Sequence, residues 1–188
     1  IGNNTNIGLL RMRTEGAEGF SPQNDFSVVR VNQELGNRSA IGMMYVERDG
    51  DGSIIGSSSD DYNRTYAVDG RWGIGDYTVI RGWMSQTDSP GINSDDTAGG
   101  VALNYNDEDW SLNAGYSEVG ENFNPEVGFL SRRGFRKIDA GWRYRYRPEN
   151  WGNLQELRPH MNFRGYWDFD GNQQTGYLHV DNHWEFNS

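Results

Sequence analysis

Four groups of residues in this sequence have types and spacings that chemistry uses. Asp49-Gly50-Asp51-Gly52-Ser53 spaces short carboxylates around glycines, as calcium loops do, with Asp49 and Asp51 the candidate ligands. It lacks the distal glutamate of an EF-hand, and Asp-Gly pairs also make hairpin tips, so a turn is the stronger reading and no metal site is expected. With this loop in the first group go the other loop acids, Asp60-Asp61 and Asp95-Asp96, which suit divalent cations at a lipopolysaccharide surface. Glu118, Glu121 and Glu126 raise glycoside hydrolysis, which wants two carboxylates about 5–9.5 Å apart. Loop spacing does not set such a distance, and among 27 acids some pairs fall close by chance, so no catalytic residue is assigned. His160, His179 and His183 are the only histidines. On a strand, His179 and His183 lie roughly 13 Å apart, too far to share one ion without a bend, so they read as lining a polar face. No Ser-His-Asp order, phosphate loop or dinucleotide fingerprint appears, and no cofactor is expected.

The fourth group is a row of arginines. From Ile138, one alternating set is Ile138, Ala140, Trp142, Tyr144 and Tyr146, and the other is Asp139, Gly141, Arg143, Arg145 and Arg147. After a turn at 148–153 the phase reverses. Leu157, Pro159, Met161, Phe163, Gly165, Trp167 and Phe169 then share one face. Arg158, His160, Asn162, Arg164, Tyr166, Asp168 and Asp170 share the other. Strict alternation means strands with one apolar and one ionic surface. Runs of this length approach the roughly 9–11 residues of membrane-crossing strands. The polar set Asp139, Arg143, Arg145, Arg147, Arg158, His160, Arg164, Asp168, His179, Asp181, His183 and Glu185 is expected to face a lumen. It suits either a structural ion network or a basic constriction selecting anions, and the acids on the same faces favour the network. Trp142, Tyr144, Phe163 and Trp167 are expected to face lipid.

The elements that would position these groups repeat along the chain. Strand-like runs occur at Asn6–Glu15, Phe26–Gln33, Ser39–Arg48, Tyr62–Ile74, Tyr77–Gln86, Thr97–Tyr105, Trp110–Glu118 and Thr175–Phe186, giving about ten strands with the central pair; Phe26–Gln33 and Ser39–Arg48 alternate less cleanly, and the sequence does not set their facing. Short turns (36–38, 75–76, 106–109, 148–153, 170–173) alternate with longer loops (16–24, 49–61, 87–96, 120–133). This is the rhythm of outer-membrane barrels, and Tyr62, Tyr77, Tyr105, Trp110, Tyr146, Trp151 and Trp184 near strand ends suit interfacial girdles.

Composition agrees with long antiparallel strands. Of 188 residues, 35% are hydrophobic and 13% aromatic, with 25 glycines and no cysteine. The net charge of −10 argues against nucleic acid as a partner. A mean hydropathy of −0.85 is low even for a polar-lumened barrel and keeps a soluble β-sandwich as the alternative. No run approaches 18 apolar residues, so no transmembrane helix is expected. The chain begins at Ile1 without an initiator Met or signal-like segment, which reads as a mature product or an internal portion of something longer.

Two stretches carry a resemblance. One is Asn6-Ile7-Gly8-Leu9-Leu10-Arg11-Met12-Arg13-Thr14-Glu15, followed by a polar loop and Asn24 to Val31. The other, more specific, is Gly120-Glu121-Asn122-Phe123-Asn124-Pro125-Glu126-Val127-Gly128-Phe129, followed by Arg132, Arg133, Phe135 and Arg136. Together they resemble bacterial proteins that join an N-terminal family-nine-type carbohydrate-binding domain to a large outer-membrane β-barrel. The resemblance implies that residues 1–188 are one barrel region without the carbohydrate-binding domain, and it brings no catalytic residues.

The expected protein is thus all-β: an antiparallel up-and-down transmembrane β-barrel segment of about ten strands in a Gram-negative outer membrane. It is expected to be non-enzymatic, a conduit or surface platform linked to glycan binding or uptake. Its expected partners are outer-membrane lipid and lipopolysaccharide, then glycans or other envelope proteins. The alternative is a soluble carbohydrate-binding or glycoside-hydrolase-like protein. The stretch Phe123 to Glu126 is expected to be a structured loop folded into the lumen, with Glu126 or Glu121 meeting the arginines.

Overall fold

The structure, a computed structural model, describes residues 4–17, 19–52 and 61–187. Ser53 to Asp60, including the end of the Asp-Gly loop and the acid at 60, lie outside the described residues. Ten strands make one sheet: β1 (Thr5–Thr14), β2 (Asn24–Glu34), β3 (Ala40–Gly50), β4 (Tyr62–Ile74), β5 (Thr78–Asp88), β6 (Thr97–Asn106), β7 (Trp110–Val119), β8 (Phe135–Tyr144), β9 (Leu154–Trp167) and β10 (Gln173–Phe186). Each pairs antiparallel with the next, in sequence order throughout. The sheet is open: β1 and β10 are its edges, and no pairing joins them among the described residues. The expected ten-strand meander is therefore present, but it is not closed into a barrel.

Because directly paired residues share a face, the register sorts every strand position. Ile7, Val31, Met43, Val68 and Met84 stand side by side across five strands on one face. Arg30, Met44, Ala67, Ser85, Ala98, Val119 and Phe135 stand side by side on the other. Burial falls on the second, polar face. The buried strand side chains Val46, Asn63, Thr65, Ser85, Thr87, Ala98, Val119, Leu154 and Glu156 all point there. The large exposed hydrophobics of the strands lie on the first face, apart from Leu10, Met12, Trp83 and Tyr177. Leu9 is 77% exposed, Val101 52% and Val180 68%. Water-soluble sheets bury their apolar face and solvate the other, so this sheet is inverted.

The apolar face has two different rims. At the end where β1, β3, β5 and β7 finish stands a belt of ion pairs. Arg13 grips Asp25 with two hydrogen bonds of 2.9 and 2.8 Å, Arg64 bonds Glu47 at 2.9 Å, and Arg136 approaches Glu118 at 3.5 Å. The opposite rim is aromatic. Tyr77 meets Tyr105 with ring centroids 6.1 Å apart, Trp110 meets Tyr144 at 4.6 Å, Tyr146 meets Trp151 at 6.0 Å, and Trp184 meets Phe186 at 6.5 Å. On β4 the apolar band from Tyr66 to Ile74 runs about 26 Å along the strand at the usual rise.

Two details differ from the sequence reading. β8 runs Phe135–Tyr144, so Arg145 and Arg147 lie beyond its end, while β9 begins at Leu154 and takes in Glu156. Cross-strand pairing decides these limits: Phe135 pairs Val119 on β7, and Leu154 pairs Phe186 on β10. The short 168–172 turn also sits at the same end as the longer loops, because an up-and-down sheet sends every second connection there.

Candidate functional site

The polar face holds two constructions, a folded loop and an ion network. The loop is 120–134, between β7 and β8. Gly120 starts it where its N–H bonds the Thr97 carbonyl at 2.8 Å and where a Cβ would overlap the Asp95 backbone. Asn122 ties to the neighbouring 89–96 loop, its amide N–H on the Asp95 carbonyl and its side-chain amide on the Ser94 carbonyl, both at 2.9 Å. Phe123 is buried against Ala98 and Val119, with Leu130 and Phe135 packed around them. This apolar cluster lies on the polar face.

Asn63 of β4 locks the loop. It is 1% exposed; its amide donates to the Asn124 carbonyl and the Ser89 hydroxyl at 2.8 Å each, and its carbonyl accepts the Glu126 N–H at 3.2 Å. Thr87 accepts the Asn124 N–H at 3.1 Å, and Gly128 N–H closes a turn onto the Pro125 carbonyl at 2.9 Å. Glu126 bonds Arg48 of β3 at 2.6 Å, and Arg48 also holds Asp61 at 2.6 Å and Asn24 at 3.0 Å. Glu126 therefore meets an arginine, but that arginine is Arg48 on β3, with four strands between it and β8, and the expected contact with the arginine row of 143–164 is not made. Val127 and Phe129 are exposed.

Asn63→Ala is expected to release this loop while leaving the sheet intact. It strands the Asn124 carbonyl and the Glu126 N–H, at about 1–3 kcal/mol for a buried group left unpaired. Limited proteolysis checks it: faster cleavage within 120–134, with unchanged sheet content by circular dichroism.

The ion network occupies the other end of the same face. Register puts Asp139, Arg143, Arg158, His160, Arg164, His179, Asp181, His183 and Glu185 on the polar face. Arg145 and Arg147 reach it from beyond β8, through Glu156. Glu156, buried on β9, meets Arg145 at 3.5 Å, Arg147 at 2.9 Å and Arg158 at 3.3 Å. Arg158 continues to Glu185 at 3.1 Å, and Asp139 pairs with Lys137. The sequence reading looked for counter-charges at Asp139, Asp168, Asp170, Asp181 and Glu185. Glu156 was missed because it precedes the apparent start of the strand, although its alternation with Arg158 and His160 was there to find. Asp168 leaves the network altogether. It caps the 168–172 turn by accepting the Asn172 N–H at 2.8 Å, and those bonds hold its carboxyl below the usual range.

Further along the same face, Arg30 passes over Gly42 to a bidentate pair with Asp69, two strands away. A side chain at position 42 would occupy the space of the guanidinium, which is why glycine stands there.

A recess of about 510 Å³ opens beside the network, lined by Asn113, Arg143, Arg158, His160, Asn162 and His183 among others. No acid lies within ion-pair distance of Arg143 among the described residues. The histidines converge. His160 is directly opposite Asp181 in the β9–β10 register, with His179 and His183 two residues to either side of that aspartate. Donor atoms of His160, Asp181 and His183 all lie within 4.8 Å of one another. The 13 Å along-strand separation is right for one strand, but it omitted the neighbouring strand that fills the gap.

No protein-family model, curated protein or solved structure matches the chain. Geometry alone carries the site.

The remaining candidates separate. Glu118 stands on the apolar face, accepting the Tyr116 hydroxyl at 2.7 Å, while Glu126 is held by Arg48 on the other side of the sheet. Asp49 ends β3 on the apolar face and Asp51 follows outside the strand, where its N–H bonds the Gln23 carbonyl at 3.0 Å. Trp142, Tyr144, Phe163 and Trp167 share the apolar face, Phe163 and Trp167 with centroids 6.4 Å apart.

Proposed function

We propose that this sheet is part of the wall of a bacterial outer-membrane β-barrel, with its apolar face against lipid and its polar face on an aqueous lumen. The carrying observation is the inverted burial: hydrophobic residues are exposed on one face, and the polar face holds the buried side chains and the folded loop. Lipid favours that arrangement and water opposes it, because contiguous exposed apolar area of this extent is not left uncovered in soluble monomers. An aromatic rim and a charged rim bounding the apolar band suit the two interfaces of a bilayer. Both sheet edges carry unpaired backbone groups, which lipid does not tolerate, so further strands or edge closure complete the barrel.

The reading is a non-enzymatic conduit or surface platform in the envelope. The loop 120–134 narrows the lumen at one end, and at the opposite end Arg143, with no acid within ion-pair distance among the described residues, is the group that lends a preference for anions. Glycans and neighbouring envelope proteins are the partners this role would serve. The test places single tryptophans at 142, 163 and 167, and at 143 and 164, in the otherwise Trp-free full-length protein reconstituted with brominated lipid. Strong quenching at the first three positions and none at the other two is expected. Equal, weak quenching at all five, in a protein that stays soluble without detergent, would overturn the reading.

A further inference from the structure

We infer that His160, Asp181 and His183 form a binding site for a borderline divalent transition-metal ion such as Zn²⁺. The inference does not depend on the membrane reading, since it needs only the β9–β10 pairing.

Three observations converge. First, the donor atoms are already grouped: His183 Nε2 lies 3.5 Å from an Asp181 carboxylate oxygen, and the His160 and His183 rings stack with centroids 5.1 Å apart. Ligand atoms around a tetrahedral zinc with bonds of about 2.0–2.1 Å stand about 3.3 Å apart, so closing this group needs only small side-chain adjustments. Second, His160 is oriented for ligation. Its Nδ1 lies 3.1 Å from the Arg158 carbonyl, which only accepts, so Nδ1 carries the proton and Nε2 presents its lone pair to the cluster. A backbone carbonyl fixing the far nitrogen is the arrangement that positions metal-binding imidazoles. Third, the His160 lone pair is already engaged from the β10 side: the His179 Nε2–H donates to it at 3.2 Å, a contact that gives way when a cation takes that lone pair, and a solvent oxygen completes a tetrahedral set.

The surroundings decide which ion. One carboxylate with two imidazoles suits Zn²⁺, Co²⁺, Ni²⁺ or Cu²⁺, whereas Ca²⁺ and Mg²⁺ want several oxygens. The nearby charges sharpen that choice. Arg143 faces His160 from β8, and Arg158 stands beside it, offset by Glu156 and Glu185. With the arginine charge offset in this way, no surplus of carboxylates is left to draw in a hard cation, and the nitrogen ligands select a borderline one. The bound ion would join β9 to β10.

The test uses Co²⁺ as a visible probe on the full-length protein at pH 7.5, followed by Zn²⁺ competition. One equivalent of Co²⁺ per chain is expected, with tetrahedral-type d–d absorption, displaced by Zn²⁺ and not by Ca²⁺ or Mg²⁺. His160→Ala and His183→Ala are each expected to weaken binding at least tenfold. Sheet content is followed by circular dichroism, and His183→Gln replaces any variant that loses it. Absence of the Co²⁺ spectrum, or binding unchanged when both His160 and His183 are replaced, would overturn the assignment.

Discussion

Replacing Val101 with arginine is expected to lower the unfolding free energy of the bilayer-reconstituted protein by about 2–4 kcal/mol, the cost of a cation on the lipid face at mid-depth. Val101 stands at the middle of β6 on the apolar face, 52% exposed. In a water-soluble sheet the same exposure predicts a change within about 0.5 kcal/mol, because surface substitutions away from special features are nearly neutral. The prediction therefore separates two solvents and not merely two residues. Asn104→Arg serves as the control. It lies on the same strand, pairs with Asn113 on the polar face, and is expected to stay within about 0.5 kcal/mol. Denaturant titration in bilayers, read by tryptophan emission, checks both. Equal and small effects at 101 and 104 would count against lipid contact.

The contrast between these two positions was legible in the sequence, because period-two alternation assigns faces without knowing which strands pair. Ten strands and their up-and-down order followed from the same pattern and from the turn residues. What alternation does not carry is register. His160 was not matched with Asp181 and His183 because the strand that carries it lies about twenty residues upstream. Arg48 was passed over as the loop's partner because four strands separate it from β8, and nothing local links Arg48 to Glu126. Glu156 was lost to a boundary: ionic pairing to Arg145 and Arg147 draws the β8–β9 connection against the strand, and the polar residues preceding Leu157 looked like turn. Closure depends on how β1 and β10 are paired, and sequence alternation is silent on that as well.

Glu156 also yields the largest expected loss on the polar face. Its carboxylate is the shared counter-charge of Arg145, Arg147 and Arg158, and its side chain is only 10% exposed while theirs range from 29% to 51%. Removing it leaves three guanidinium groups crowded around a vacated site, with Glu185 and Glu108 the acids still in reach of Arg158 and Arg147. A hydrogen bond to a charged group is worth about 1.5–3 kcal/mol, and breaking a fully buried pair costs about 3–5. Because the arginines are partly solvated, Glu156→Ala is expected to cost about 2–3 kcal/mol. Glu156→Gln should recover part of that loss, since the amide oxygen still accepts one hydrogen bond while the negative charge is gone. The two variants divide the effect between hydrogen bonding and charge. If the Glu156→Gln loss relative to wild type shrinks in 0.5 M salt, the remainder is repulsion among the arginines, which salt screens. If both variants unfold at the wild-type denaturant midpoint, the arginines are held by solvent and not by Glu156, and the network is an incidental feature of the face.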